Sequence, residues 1–398
     1  MKVFCTLPFI HIYNDSYGVM LPCCHAAVDH PYHKEFEDAT FPVTSIKEGF
    51  YDFVKSGAMR QLRLDMMQSQ TTDLVKDVCR NCIKLENKGL PSYRIPGNIN
   101  LGDRNLSIKL RIFGNTCNLQ CYMCDIKNSN SRIRQTEKMM EFNPEVGQML
   151  RYSDLSEELK VKGGFDLSVI DSNIFNKCIE DIKKIANKIQ SITIIGGEPF
   201  ILPSHYKLLD ALIDCGEAEN IVIRYDSNLT KLHWSGCHVL NYLNKFKKSR
   251  ISLSLDGHGK FNDYIRFPSK WDEIINNYHE VKEYADINVS TTLSALSVLR
   301  LDELYQWSNS QHLDTQWNTL HWPEVVRIES LHPNIRKRLV KKYENTELEF
   351  LCEELSKHVL DWEEKWEKFI NYLEAIDHVN GTDYKSVFPE LCDLSEDR

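Results

Sequence analysis

From about residue 106 the chain alternates short apolar stretches of period two with longer stretches of helical spacing. This alternation limits the fold more than any other feature. Strands are expected over 106–113, 192–195, 220–225, 250–255 and 287–293, with a weaker sixth over 315–321. Helices are expected between them, over 173–190, 204–215, 239–248, 271–284 and 302–308. Two strands separated by a helix cannot close a tight hairpin, so they run parallel in one sheet. Six such units suggest an open version of the eight-stranded βα barrel. The expected fold class is α/β, a partial (β/α)6 TIM-like barrel over 101–325. A small N-terminal cluster-binding domain is expected over 1–100 and a C-terminal helical extension over 326–398.

Residues suited to chemistry fall at the strand ends. Cys117 follows the first expected strand, Glu198 the second, Asn228 the third and Asp256 the fourth. In βα barrels the chemistry collects at the C-terminal ends of the strands. Cys117, Cys121 and Cys124 have the spacing C-x3-C-x2-C. Three thiolates so close can cap three irons of a [4Fe-4S] cluster and leave the fourth iron open. Four thiolates would close the site, whereas an open iron admits chemistry, so an enzyme is expected. The alternative is a non-catalytic protein whose cysteines hold zinc or clusters for structure alone.

Thirteen cysteines occur in a chain whose first residues lack an apolar run with a small-residue cleavage site. Reduced thiols and metal sites are therefore expected in place of disulfides, in a cytoplasmic setting. No run of about 18 apolar residues indicates a membrane span. The net charge of −9 disfavours a dedicated nucleic-acid binder without excluding local basic patches.

A second cysteine set lies in the first hundred residues: Cys5, Cys23, Cys79 and Cys82. Residues 9–13 and 19–21 flank Asn14-Asp15-Ser16-Tyr17-Gly18, which has the composition of a hairpin turn. Such a hairpin brings Cys5 and Cys23 together at its open end. Cys79 and Cys82 form a C-x2-C knuckle that presents two thiolates to one centre. Four sulfurs close a site, either a complete cluster or a structural zinc. Cys24 and His25 are adjacent and could substitute as ligands. Cys178, Cys215, Cys237, Cys352 and Cys392 have no ligand spacing, and Cys178 and Cys215 are expected in the core of their helices.

The stretch 127–171 is a long polar insertion with short helices expected at 132–141 and 154–161. Its Arg132, Arg134 and Lys138, with Arg336, Lys337, Arg338, Lys341 and Lys342 of the tail, could contact phosphates of a nucleic acid. Solvated helix faces are the plainer reading. Tail helices are expected over 334–345 and 348–377, the second with a stripe through Leu351, Leu355, Val359, Trp362, Trp366, Ile370 and Leu373.

Cys117-x3-Cys121-x2-Cys124 after one strand, and Gly196-Gly197-Glu198-Pro199 after the next, together resemble the radical S-adenosylmethionine (SAM) superfamily over roughly 105–325. The pattern Cys5-x12-Gly18-x4-Cys23 with Cys79-x2-Cys82 is similar to the auxiliary-cluster half of twitch and SPASM domains, here placed before the barrel. The resemblance implies that Cys117, Cys121 and Cys124 hold a SAM-binding [4Fe-4S] cluster. It implies a second, auxiliary [4Fe-4S] cluster on Cys5, Cys23, Cys79 and Cys82. It implies reductive cleavage of SAM to methionine and a 5′-deoxyadenosyl radical, which takes hydrogen from a C–H bond.

Gly196, Gly197, Glu198 and Pro199 would receive the SAM amino group. Asn228 resembles the family's strand-end asparagine. Ser254 fits the serine that meets the SAM ribose, and Arg266 the arginine that meets the SAM carboxylate. Met123 stands where relatives usually carry an aromatic residue near the adenine. Asp256 is a candidate catalytic base for the proton that follows hydrogen abstraction. The partners implied are SAM, a peptide or small-molecule substrate that is oxidised or cross-linked, and an electron donor such as flavodoxin or ferredoxin. Modification of a nucleic acid or nucleotide is the second possibility.

Overall fold

The computed structural model describes residues 4–14, 19–23, 25, 26, 41, 44–46, 49–89, 91–95, 104–111, 113–155 and 171–395. The fold is α/β, a mostly parallel sheet with helices between its strands, as expected of a partial barrel. The chain divides into two compact units that cut across the three segments expected from sequence. One comprises Met1–Asn115, Phe165–Asp226 and His233–Arg250; the other comprises Thr116–Gly164, Ser227–Leu232 and Ile251–Arg398.

The first unit contains strands β1 (His11–Asn14), β2 (Val19–Leu21), β3 (Thr44–Ser45), β4 (Leu106–Leu110), β5 (Ile189–Ile194) and β6 (Val222–Ser227), with a small hairpin of β7 (His233–Trp234) and β8 (Cys237–His238). Their order in the sheet is β6-β5-β4-β1-β2-β3. The pairs β4/β5 and β5/β6 are parallel. Ile108, Leu110, Ile192, Ile194, Ile223 and Tyr225 are buried, the near-continuous apolar character of strands covered on both faces.

The expected N-terminal hairpin forms, with Tyr13 opposite Leu21 and Asn14 opposite Met20. The residues between its strands, Gly18 among them, lie outside those described, as does Cys24. The new finding is that β1 also pairs in parallel with β4, His11 opposite Ser107. The buried Asn14 side chain accepts from the Arg111 amide at 2.9 Å. The N-terminal segment thus extends the same sheet as the first barrel strand.

The second unit holds β9 (Lys248–Ser254), which begins at the unit boundary, β10 (Asp286–Leu293) and β11 (Thr315–Thr319), in the order β11-β10-β9. Strands β10 and β11 are parallel in uninterrupted register. Helix Asn130–Phe142 of the insertion and helices Pro333–Tyr343, Phe350–Leu355 and Trp362–Asn380 of the tail belong to the same unit.

Several expected elements change. The helix expected over 239–248 is a single turn, Leu240–Leu243. In the segment expected as a helix at 154–161, the described part is a 3-10 turn, Tyr152–Asp154. The long tail helix breaks between Leu355 and Trp362. At the break the buried Arg336 guanidinium donates to the carbonyls of Glu354 and Lys357. A cation there satisfies carbonyls that the helix leaves unpaired at its end. Beyond the break the buried face is Phe369, Tyr372, Leu373, Ala375 and Ile376, so the expected stripe shifts.

Candidate active site

The cysteine loop of the second unit is held from both ends. Ser129 caps helix Asn130–Phe142 by accepting from the Arg132 amide. The start of that helix ties down the first half of the loop. Asn130 Oδ1 accepts from the Cys117 amide at 3.1 Å, Ser131 Oγ donates to the Cys117 carbonyl at 2.5 Å, and Ser129 Oγ donates to the Leu119 carbonyl at 3.2 Å.

The second half lies against the stretch that follows Asp256. The Gln120 and Tyr122 amides donate to the carbonyls of Phe267 and Ile265, at 2.6 and 2.9 Å. Tyr122 acts as a rivet. Its buried hydroxyl donates to Ser294 Oγ at 2.6 Å and accepts from the Leu296 amide at 2.9 Å. A turn in which the Cys124 amide donates to the Cys121 carbonyl completes the loop.

Charge is arranged around these thiols. Asp256 is 0% exposed and forms an ion pair with Arg266, Nε to Oδ2, at 2.6 Å. Asp256 Oδ1 accepts from the Thr292 amide at 2.6 Å. Arg266 Nη1 faces Cys121 Sγ at 4.0 Å. Burial raises the Asp256 carboxyl, and Arg266 pulls it back. Burial also raises the thiols of Cys121 and Cys124, the latter to about 12, while Arg266 and Arg132 draw both down. The thiolate is the form that binds metal, so the two cations favour the ligating state.

Asn228, directly after β6, is tied to the loop. Its Nδ2 donates to Asn118 Oδ1 at 3.2 Å and faces Cys117 Sγ at 4.0 Å. Its Oδ1 accepts from the Thr230 amide and hydroxyl, at 2.9 and 2.6 Å. Met123 is buried within the loop, and Ser254 is half-buried at the end of β9.

Gly196–Pro199 belong to the first unit, after β5. Gly196 has φ +100°, and a Cβ there would lie 2.8 Å from the Gly114 carbonyl oxygen. Only glycine fits that combination of conformation and contact. Glu198 is buried and accepts from the Phe200 amide at 3.3 Å, capping the 3-10 turn Pro199–Ile201. Behind the turn, His205 Nε2 and the Tyr225 hydroxyl are hydrogen-bonded at 2.9 Å. Burial lowers His205 to about 3, so its ring is neutral.

The first unit also gathers the second cysteine set. Cys5, Cys23, Cys79 and Cys82 line one cavity with Leu7, Pro8, Met66 and Val78, and with His25, Tyr93 and Arg94. His25 stacks on Tyr93 with ring centroids 3.6 Å apart. Burial raises Cys79 to about 11, against the pull of the Arg94 guanidinium. Arg94 is anchored by Glu86, Nε to Oε1, at 2.8 Å.

Both donor sets hold buried or half-buried thiols beside a cation, which fits iron–sulfur ligation. Among the described residues no three His, Cys, Asp or Glu side chains are gathered as for a single metal ion. A cluster, in contrast, spreads its thiolates over separate irons. The structure thus brings Cys117, Cys121, Cys124, Asn228, Asp256 and Arg266 together in one unit. It places Gly196–Pro199 and the four N-terminal cysteines in the other.

Tyr122, Arg132 and Tyr372 contribute to the cysteine loop without having been singled out for it. The available signal was weak: polar residues of ordinary types at no motif spacing. Arg132 and Arg336 are buried and bonded internally, so neither lies on the solvated face expected for it, nor is free to contact a phosphate. Cys215 is exposed at the end of helix Pro203–Asp214, not in the core. No helix among the described residues is long and apolar enough to cross a membrane.

Residues 112–297 match the model of the radical SAM superfamily. A comparison with curated proteins found no match. Among solved structures, native anSMEcpe with bound AdoMet is similar at 14% identity, covering 59% of this chain and 58% of that one, with a TM-score of 0.37. Streptococcus suis SuiB bound to S-adenosylmethionine is similar at 12% identity, covering 86% of this chain and 68% of that one, with a TM-score of 0.34. SuiB bound to the precursor peptide SuiA is similar at 14% identity over 76% and 70%, also with a TM-score of 0.34. The chain spans less than two thirds of the first of these structures.

Proposed function

We propose that this chain, which belongs to the radical SAM superfamily, cleaves SAM reductively and oxidises or cross-links a peptide or small molecule. One observation carries the reading: the matched stretch holds Cys117, Cys121 and Cys124 in a hydrogen-bonded loop with Arg266 facing Cys121 at 4.0 Å. Cys117, Cys121 and Cys124 hold three irons of the SAM-binding cluster. When bound, that centre supplies the electron that splits SAM into methionine and a 5′-deoxyadenosyl radical, the species that takes a substrate hydrogen atom.

The chain's own residues bind and orient. The Gly196–Gly197 backbone and Glu198 receive the SAM amino group, with Pro199 stiffening the turn. Arg266 meets the SAM carboxylate, Ser254 the ribose, Met123 the adenine, and Asn228 steadies the loop through Asn118. Asp256 has both oxygens engaged, so its role here is to orient Arg266. To serve as a base it would first have to leave that pair. Cys5, Cys23, Cys79 and Cys82 would hold an auxiliary cluster in a twitch-like module, and that group would supply a one-electron acceptor. Flavodoxin or ferredoxin supplies the starting electron.

The test is anaerobic reconstitution with iron and sulfide, reduction with dithionite and addition of SAM. The wild type is expected to form 5′-deoxyadenosine, and Cys117→Ala, Cys121→Ala and Cys124→Ala to form none. A wild type that forms none overturns the reading. About eight irons per chain, falling to about four in the Cys79→Ala/Cys82→Ala double variant, is the count expected for two four-iron clusters.

A further inference from the structure

We propose that Arg132 is the buried counter-charge of the three-cysteine centre and that Tyr372, on the C-terminal helix, positions it. The inference rests on the function proposed above and concerns residues outside the binding motifs.

Arg132 lies on helix Asn130–Phe142 and is 0% exposed. Its guanidinium donates to Gln135 Oε1, to the Tyr122 carbonyl at 3.3 Å and to the Tyr372 hydroxyl. Its Nη1 also lies 3.9 Å from Met139 Sδ. Each of these acceptors is neutral. Among the described residues Nε has no partner and the side chain pairs with no carboxylate. A buried cation left uncompensated costs several kcal/mol, so such groups are found with an anion nearby.

Arg266 cannot share its anion, because Asp256 is already its own partner at 2.6 Å. The carbonyl that Arg132 binds belongs to Tyr122, the residue between Cys121 and Met123 in the cysteine loop. Beside that carbonyl, the anionic chemistry is the thiolate pair Cys121 and Cys124, which bracket Tyr122 in the loop. A thiolate-ligated cluster is negative and becomes more so on reduction. A fixed cation beside it stabilises the reduced state and raises its potential.

Tyr372 sets the direction of that cation. Its hydroxyl accepts from Arg132 and donates to the Tyr122 carbonyl at 2.6 Å, closing a triangle with the loop. The Arg132 guanidinium carbon lies 5.9 Å from the Tyr372 ring centre. Gln135 Nε2 donates to Asn380 Oδ1 at 2.8 Å, a second tie to the same helix, Trp362–Asn380. The tail helix is therefore part of the cluster's electrostatic cradle.

The experiment is a redox titration of reconstituted full-length protein, following the electron paramagnetic resonance signal that changes when SAM is added. Arg132→Met is expected to shift the midpoint potential negative and to lose iron to a chelator several-fold faster. Arg132→Lys restores most of the potential, and Tyr372→Phe gives a smaller negative shift. Wild-type potential and iron retention in Arg132→Met overturn the counter-charge. If Arg132→Met does not fold, Tyr372→Phe decides, and a wild-type potential there overturns the positioning role. A wild type that binds no cluster through Cys117, Cys121 and Cys124 refutes the proposed function itself, a separate outcome.

Discussion

The two cysteine regions are organised by opposite means. Cys117, Cys121 and Cys124 lie within eight consecutive residues, fastened by backbone hydrogen bonds and flanked by Arg132 and Arg266. Cys5, Cys23, Cys79 and Cys82 come from separate segments and meet only in a largely apolar cavity that Leu7, Pro8, Met66 and Val78 also line. The first region is organised by charge, the second by packing with one anchored arginine. Charge suits a centre that must bind and activate a polar ligand. A dry apolar shell suits a centre that only passes electrons.

The largest expected effect separates the regions by function. Cys121→Ala is expected to abolish 5′-deoxyadenosine formation, whereas Cys82→Ala keeps it and loses only the oxidised product, as read by chromatography of both. Equal losses in the two variants would erase the contrast.

Next in size, Asp256→Asn leaves Arg266 buried without its anion, with an expected destabilisation of about 3–5 kcal/mol in denaturant titrations. Arg94→Met in the apolar region retains Glu86 at a part-exposed position, so a loss of about 1–3 kcal/mol is expected there. Gly196→Ala meets the Gly114 carbonyl at 2.8 Å with φ +100°. A penalty of about 1–3 kcal/mol is expected, together with a raised KM for SAM.

A pH dependence of similar size is expected from two buried histidines of the first unit. Burial lowers His205 to about 3 and His11 to about 4. Both stay neutral when folded but take protons when unfolded near 6.5. Their contribution is full above that pH and is lost as pH falls toward 4. At pH 5 each histidine is expected to remove about 2 kcal/mol relative to pH 7. His205→Phe should flatten the slope by about 1.4 kcal/mol per pH unit, measured by denaturant titration at several pH values.

The barrel strands were legible because their apolar runs end in glycine or polar residues, and β5, β9 and β10 lie within three residues of their expected bounds. The loop cysteines were legible because their ligand spacing is local. What escaped was non-local. Nothing near His11–Asn14 signals a parallel partner at Leu106–Leu110, because the paired residues, such as His11 and Ser107, are 96 positions apart in the chain. Arg132 resembled a surface cation because helical spacing alone does not reveal a tyrosine approaching from residue 372. The break before Trp362 was hidden for the same reason: Arg336 reaches the helix end from another element.

The parallel pairing of β1 with β4 bears on how the chain can be dissected. The first segment is bonded to the strand that starts the barrel, so it is not a bead that a shorter protein could shed. Removing it would leave the backbone groups of Leu106–Leu110 as a bare sheet margin, the kind of surface on which chains stack and precipitate. A trimmed protein that keeps the three loop cysteines would therefore fail first by insolubility. Rearrangements that relocate the N-terminal cysteines must pair, cover or charge that margin by other means.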